Sequence, residues 1–149
     1  MENEISKKVI GAAIETHRIL GGPGLLEHIY EEALCYELSL IGLQYQRQLA
    51  VSVKYKGIII SNPLFLDILV ANKVILEIKA TELDHAIYQT QLLTYLRLSG
   101  MKLGLILNFG KKQLKDGICR VVNELQASFV LSDTCPFTVS SQVHFDSFG

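Results

Sequence analysis

A chain of 149 residues and 16.6 kDa has room for one ordinary domain, and a composition that is 49% apolar and 19% charged excludes disordered and fibrous classes. With 14 basic against 15 acidic residues the net charge is −1, which excludes a uniformly basic surface that coats nucleic acid by neutralising phosphates. The balance is uneven along the chain: residues 1–124 carry 14 basic and 13 acidic side chains, residues 125–149 none and 2. Cys35, Cys119 and Cys135 are widely spaced with no C-x-x-C pair, which argues against a disulfide scaffold or a zinc knuckle. The opening MENEISKK lacks the basic-then-apolar order of a signal peptide, and no apolar run approaches the roughly 20 residues of a membrane span. The expectation is a reduced, cytoplasmic protein with no membrane partner.

From Glu4 to Leu20, Ile5, Val9, Ala12, Ala13, Thr16 and Leu20 recur in steps of three and four, the stripe of an amphipathic helix that Gly21-Gly22-Pro23-Gly24 ends. A second helix is predicted from Leu25 to Ile41, with Leu26, Ile29, Ala33, Leu34, Leu38 and Ile41 inward, Glu31, Glu32 and Glu37 toward water, and Gly42 closing it. The period then changes to two, since Leu49, Val51, Val53 and Tyr55 alternate with Ala50, Ser52, Lys54 and Lys56. Lys56-Gly57 turns the chain into Ile58–Ile60, and Leu64–Val70 and Val74–Ala80 follow as mostly apolar strands, a meander whose later strands lie mid-sheet. A helix from Leu83 to Leu98 and strands at Leu103–Phe109 and Ile118–Val122 complete an α/β or α+β layer with helices on a sheet. Beyond Leu125 the composition changes, with four of the six phenylalanines and no Lys or Arg. That tail reads either as a poorly ordered extension or as an edge strand or hydrophobic arm that docks on this subunit or on a partner, a second copy or another protein.

Charged residues inside apolar strands demand an explanation, because an unpaired buried charge is costly. Asp67 lies within Leu64–Val70, and Glu77 and Lys79 within Val74–Ala80. A period of two puts Glu77 and Lys79 on one face. Asp67 joins them if Val70 pairs with Val74 across the three-residue loop Ala71-Asn72-Lys73, whereas a two-residue turn would send it to the other face unless a bulge corrected it. Two carboxylates and an ammonium so placed suit metal-assisted phosphodiester hydrolysis: hard oxygens hold Mg²⁺ or Mn²⁺, and a lysine steadies the attacking water or the developing charge. An acid-x-Lys pattern is short enough to arise about once by chance at this composition, so a plain buried ion network stands beside that reading. Gln91 and Tyr95, four apart on the following helix, and Glu27 and Tyr30, three apart after the glycine loop, are polar positions able to serve the cluster. His17, His28, His85 and His144 lack metal-ligand spacing and read as surface or satisfied positions, with His85 nearest the cluster in sequence.

Gly24-Leu25-Leu26-Glu27-His28-Ile29-Tyr30 matches the motif that names the GxxExxY protein family. The Asp67 strand, Glu77-Ile78-Lys79-Ala80, Gln91 to Leu96, Leu103 to Gly110 and Leu114 to Asn123 resemble that family in order, over about residues 3–124. The family sits in the PD-(D/E)XK nuclease superfamily, and the resemblance implies a restriction-endonuclease-like α/β core, a central mixed sheet flanked by helices. It implies that Asp67 and Glu77 bind metal, that Lys79 is the catalytic lysine, that Glu27 contacts the metal directly or through water, and that Gln91 and Tyr95 position DNA or the Lys79 end of the site. Leu66 stands where the superfamily label has proline, a change that removes no ligand.

The expectation is therefore a nuclease-like domain over 1–124 and a divergent tail over 125–149, a Mg²⁺- or Mn²⁺-dependent nuclease acting on DNA, with RNA as the other candidate polymer. A nuclease-like module that binds nucleic acid or protein without cutting is the competing class. Lys54, Lys56, Lys73, Lys102, Lys111, Lys112 and Lys115 are the candidates for phosphate contacts.

Overall fold

The computed structural model describes residues 1–124, and the expectation of an edge strand in the tail lies outside them. Two helices, α1 (Glu2–Ile19) and α2 (Glu27–Leu40), open the chain as a hairpin. The strands β1 (Tyr45–Val51), β4 (Leu64–Val70), β5 (Val74–Lys79), β6 (Leu103–Asn108) and β7 (Ile118–Val122) then form one sheet in the order β1-β4-β5-β6-β7. Between β1 and β4, β2 (Lys54–Tyr55) and β3 (Ile58–Ile59) form a separate two-stranded hairpin. The helix α3 (Ala86–Ser99) links β5 to β6, which run parallel, as a parallel crossover requires.

The sheet is buried on both faces. Against one, α1 and α2 pack Val9, Ala13, Tyr30, Leu34 and Leu38 onto Ile68, Val70, Val74, Leu76 and Ile78. Against the other, α3 packs Leu92, Leu93 and Leu96 onto Leu66, Leu69, Ile75 and Ile106. This is the α/β architecture expected of a restriction-endonuclease-like core, with a mixed sheet between helical layers.

The structure departs from the sequence-based expectation at the edge. The alternation from Leu49 to Tyr55 predicts one strand, but the ladder runs from Tyr45 to Val51, and Lys54 and Tyr55 belong to the hairpin instead. The polar run Gln44-Tyr45-Gln46-Arg47-Gln48 conceals a strand because only one face of an edge strand needs apolar cover. In α2 the inward stripe is rotated: Leu26 and Ile41 are exposed, whereas Tyr30, Glu31 and Cys35 are buried. Glu31, expected in water, is buried because Arg47 of β1 reaches across to pair with it. His17 is buried and satisfied, its Nε2 3.0 Å from the Lys111 carbonyl oxygen and its ring tilted against Phe109.

The segments that leave β5 and β6 run close together. Asn108 Oδ1 accepts from the N–H groups of Thr81 (3.1 Å) and Gly110 (2.9 Å), and the Phe109 N–H donates to the Lys79 carbonyl at 2.8 Å. A Cβ on Gly110 would meet the Thr81 backbone nitrogen at 2.4 Å. Gly110→Ala is expected to destabilise the protein by about 2 kcal/mol or more, because backbone cannot yield as a side-chain tip does. Gly11→Ala, in α1 with open space around its Cβ, gains about 0.5–1 kcal/mol. Urea unfolding of both variants reads the opposite signs.

Candidate active site

The three-residue loop Ala71-Asn72-Lys73 has Ala71 and Asn72 in the left-handed region (φ 53° and 55°), and it pairs Val70 with Val74. The register that brings Asp67 level with Glu77 is therefore the one adopted. The regular ladder between β4 and β5 ends at Ile68 and Leu76. One step further, Asp67 Oδ2 accepts the Ile78 N–H at 2.9 Å, so a side chain takes the place of a backbone carbonyl where the strands part.

A second irregularity coincides with it. Arg47 pairs with Ile68 and Leu49 with Leu66, but Gln48, opposite Asp67, is missing from the ladder and has φ 50°. Tyr45, Ile68 and Val70 pack toward α1 and α2, whereas Leu49, Val51 and Leu66 pack toward α3. Both strands thus change faces at the level of Gln48 and Asp67. A positive φ is unfavourable for glutamine and persists only where surrounding contacts determine it. Here the Gln48 amide donates from Nε2 to Glu31 Oε1 at 3.2 Å, with Asp67 Oδ1 3.4 Å away. Arg47 holds the same Glu31 through Nε (3.1 Å) and Nη2 (2.8 Å). The pairing with Glu31 raises the Arg47 pKa further. Glu31, Arg47 and Gln48 are the supports that sequence reasoning missed; the signal for them was the four-residue step from Glu27 to Glu31 and the polar run before Leu49.

Glu77 is 8% exposed, and its Oε1 has no hydrogen-bond partner. Burial and then the neighbouring Asp67 push its pKa from about 4.5 up to about 8, with a smaller push from Glu27; Lys79 and a backbone hydrogen bond at Asp67 offset only part of the rise. Lys79 is half-buried, with its ammonium 4.5 Å from the centre of the Tyr88 ring. The exposed His85 packs edge-on to that ring. Tyr95 faces the carboxylates from α3: burial, then Glu77, then Asp67, raise its pKa. Gln91, one turn earlier, is exposed. Glu27 is the exposed first residue of α2 and lies within electrostatic reach of Glu77. Its turn is pinned by Tyr30, which stacks on Phe109 (centroids 4.6 Å apart), donates its hydroxyl to the Gly22 carbonyl at 2.7 Å and accepts the Leu25 N–H.

The structure thus brings Asp67, Glu77, Lys79 and Tyr95 together, with Glu27 within electrostatic reach of Glu77, while Gln91 is exposed one turn before Tyr95. Among the described residues no three of His, Cys, Asp and Glu converge closely enough to chelate an ion by themselves. Two carboxylates are, however, the donor set from which Mg²⁺ is commonly held, the rest of its shell being water and phosphate oxygen. A buried carboxylate with an unpartnered oxygen, whose ionisation burial and Asp67 disfavour and a cation would favour, fits such an ion. A cavity of about 490 Å³ lined by Asn3, Arg97, Lys102 and Arg120 lies at the other end of the sheet, by the start of β6, and is separate from this cluster.

No helix among the described residues is long and apolar enough to cross a membrane. No curated protein and no solved structure matches the chain significantly. The family model of the PD-(D/E)XK nuclease superfamily matches residues 3–121, most of the chain, and a five-stranded mixed sheet flanked by helices is the fold that such a match leads one to expect; the protein belongs to that superfamily.

Proposed function

We propose that this protein is a metal-dependent nuclease that hydrolyses phosphodiester bonds in DNA, with RNA as the alternative polymer. The observation that carries the reading is the pair Asp67 and Glu77: adjacent, Glu77 buried with an orphaned oxygen, and set beside Lys79 where the sheet opens. A pair of like charges so placed serves no packing purpose and is costly without a cation.

Asp67 and Glu77 would hold the ion, Mg²⁺ or Mn²⁺, with Glu27 completing or orienting its shell. When bound, that ion supplies the charge that polarises the phosphodiester and makes a water more acidic. The Ile78 N–H fixes one Asp67 oxygen and leaves the other for Gln48 or the ion. Lys79, its ammonium set over the Tyr88 ring, steadies the attacking water or the charge developing on phosphorus-bound oxygen. Tyr95, facing both carboxylates, and Gln91, one turn earlier, support the Lys79 end of the site and the substrate backbone.

In a cleavage panel of single-stranded, duplex and branched DNA and of RNA, activity is expected with Mg²⁺ or Mn²⁺ and none with chelator. Glu77→Ala and Lys79→Ala lower it by about a hundredfold or more while circular dichroism stays unchanged. A wild-type protein that binds no Mn²⁺ overturns the reading and leaves the non-cutting binding module.

The raised pKa of Glu77 sets a pH dependence. Below about 4.5 the folded and unfolded chains both hold the proton; between 4.5 and 8 only the unfolded chain releases it, so the metal-free protein loses stability as pH rises through that window. Glu77→Gln is expected to stabilise the metal-free protein at pH 8, by a margin on the order of a few kcal/mol that vanishes near pH 4. Thermal melts at both pH values check this. Because the ion displaces a proton, wild-type Mn²⁺ affinity rises toward pH 8 and levels off above it, as calorimetric titration would show.

A further inference from the structure

Among the described residues, the hairpin of β2 and β3 has no buried core cluster behind it. Tyr55 is 61% exposed, Ile58 66% and Ile59 60%, and Ile60 beside them is also exposed. Each strand has only two residues, and the Lys56-Gly57 turn, with φ 50° and 80°, is of the tight kind that suits a two-residue connection. One further backbone bond, Ile60 N–H to the Val53 carbonyl at 2.8 Å, lengthens the ladder. A hairpin of this size with large apolar side chains on its surface gains little by itself, and such patches on a soluble protein mark contact with something else.

Charge identifies what that is. Between Glu37 and Asp67 the chain carries Arg47, Lys54 and Lys56 and no acidic residue, in a protein whose overall charge is −1. Arg47 is engaged by Glu31, which leaves the two hairpin lysines as the cationic display of this region. A second copy of the arm would bring like charges together, whereas a polyanion would be drawn to it. Position agrees. The hairpin joins the end of β1 to the start of β4, and because β4 and β5 are antiparallel this is the end of the sheet at which β5 finishes in Glu77 and Lys79. Of the other lysines, Lys73 and Lys102 lie near Glu2, and Lys111 pairs with Asp84 at 2.9 Å.

Tyr55 stands opposite Ile58, so ring and branched side chain share one face; Lys54 and Ile59 stand opposite each other on the other face, and Lys56, in the turn, hangs over the Tyr55 ring with its ammonium 5.6 Å from the centre. An intact duplex offers phosphates but keeps its base faces stacked away. An aromatic and apolar face with Lys56 over its ring, on a ribbon two strands wide that carries Lys54 on its other side, gains most from unstacked bases on a phosphate backbone. We propose that the β2–β3 hairpin is a single-strand-binding arm, with Tyr55 and Ile58 against base faces and Lys54 and Lys56 against phosphates, that feeds single-stranded nucleic acid to the Asp67–Glu77 site. This rests on the nuclease reading for what happens at that site, but not for the binding itself.

The test is fluorescence anisotropy of labelled oligo-dT, oligo-U and a duplex of equal length, in chelator so that nothing is cut. The wild-type protein binds a single strand more tightly than the duplex. Tyr55→Ala with Ile58→Ser weakens that binding about tenfold or more, and Lys54→Ala with Lys56→Ala lowers the slope of log affinity against log salt by roughly 0.7 per lysine removed. Oligo-dT against oligo-U distinguishes DNA from RNA as the source of the strand. Unchanged single-strand affinity in the Tyr55/Ile58 variant, a duplex preference, or a wild-type dimer that the same variant dissociates without loss of oligonucleotide affinity each overturns the proposal. Hydrolysis of bis(p-nitrophenyl) phosphate by the wild-type protein with Mn²⁺ tests the nuclease reading separately, since that small diester needs no arm. Failure of one assay is therefore distinguishable from failure of the other.

Discussion

One hydrogen bond organises the candidate site: the Ile78 N–H donates to Asp67 Oδ2 at 2.9 Å where an unbroken ladder would offer it a main-chain carbonyl. A strand can stop pairing inside a buried sheet only if its freed polar groups find other partners. The Asp67 carboxylate meets that demand and is itself held in place by doing so. The parting of β4 from β5, the closeness of Asp67 to Glu77 and the incomplete satisfaction of Glu77 all depend on this substitution of side chain for main chain. The irregular Gln48 on β1 belongs to the same arrangement, because the change of face in β4 must be matched by its ladder partner if Leu49 and Leu66 are to share a core with α3.

Around that level the two helical layers contribute differently. From one side α2 brings Glu27 to the margin and Glu31 to the Arg47 and Gln48 side chains, and its first turn is anchored by Tyr30 stacked on Phe109. From the other, α3 supplies Tyr88 beneath the Lys79 ammonium and Tyr95 facing the carboxylates. The apolar cores on both faces supply the stability against which a destabilising carboxylate can be maintained. Glu77 is buried enough that water cannot screen Asp67 from it, and that combination makes a cation at this position favourable.

The near-neutral charge of the chain also takes a definite meaning. Arg18, Arg47 and Lys111 are spent in ion pairs with Glu15, Glu31 and Asp84. Lys79 lies inside the cluster, and Lys54 and Lys56 stand apart on the hairpin. A net charge of −1 suits brief, local engagement of a polyanion better than extended coating.

Much of this was legible in the residues themselves. Steps of three and four marked α1, a helix was expected over Leu83–Leu98 where α3 lies, and the apolar runs Leu64–Val70 and Val74–Lys79 marked the central strands. Charges inside those runs singled out Asp67, Glu77 and Lys79, because the cost of burying charge makes such positions conspicuous in any sequence. The loop Ala71-Asn72-Lys73 even specified the condition for the first two to meet, a register that turn length largely sets. Periodicity could not reveal the strand at Tyr45–Val51, the burial of Glu31, the rotated face of α2 or the detachment of the hairpin, since each depends on a neighbour distant in the chain. The sequence by itself determined which residues are chemically exceptional, because local period and composition carry that information. Only the tertiary structure decided how they are held, because the break in the ladder at Asp67, the left-handed Gln48 and the Glu31–Arg47 pair arise from contacts between strands and a helix that no local pattern encodes.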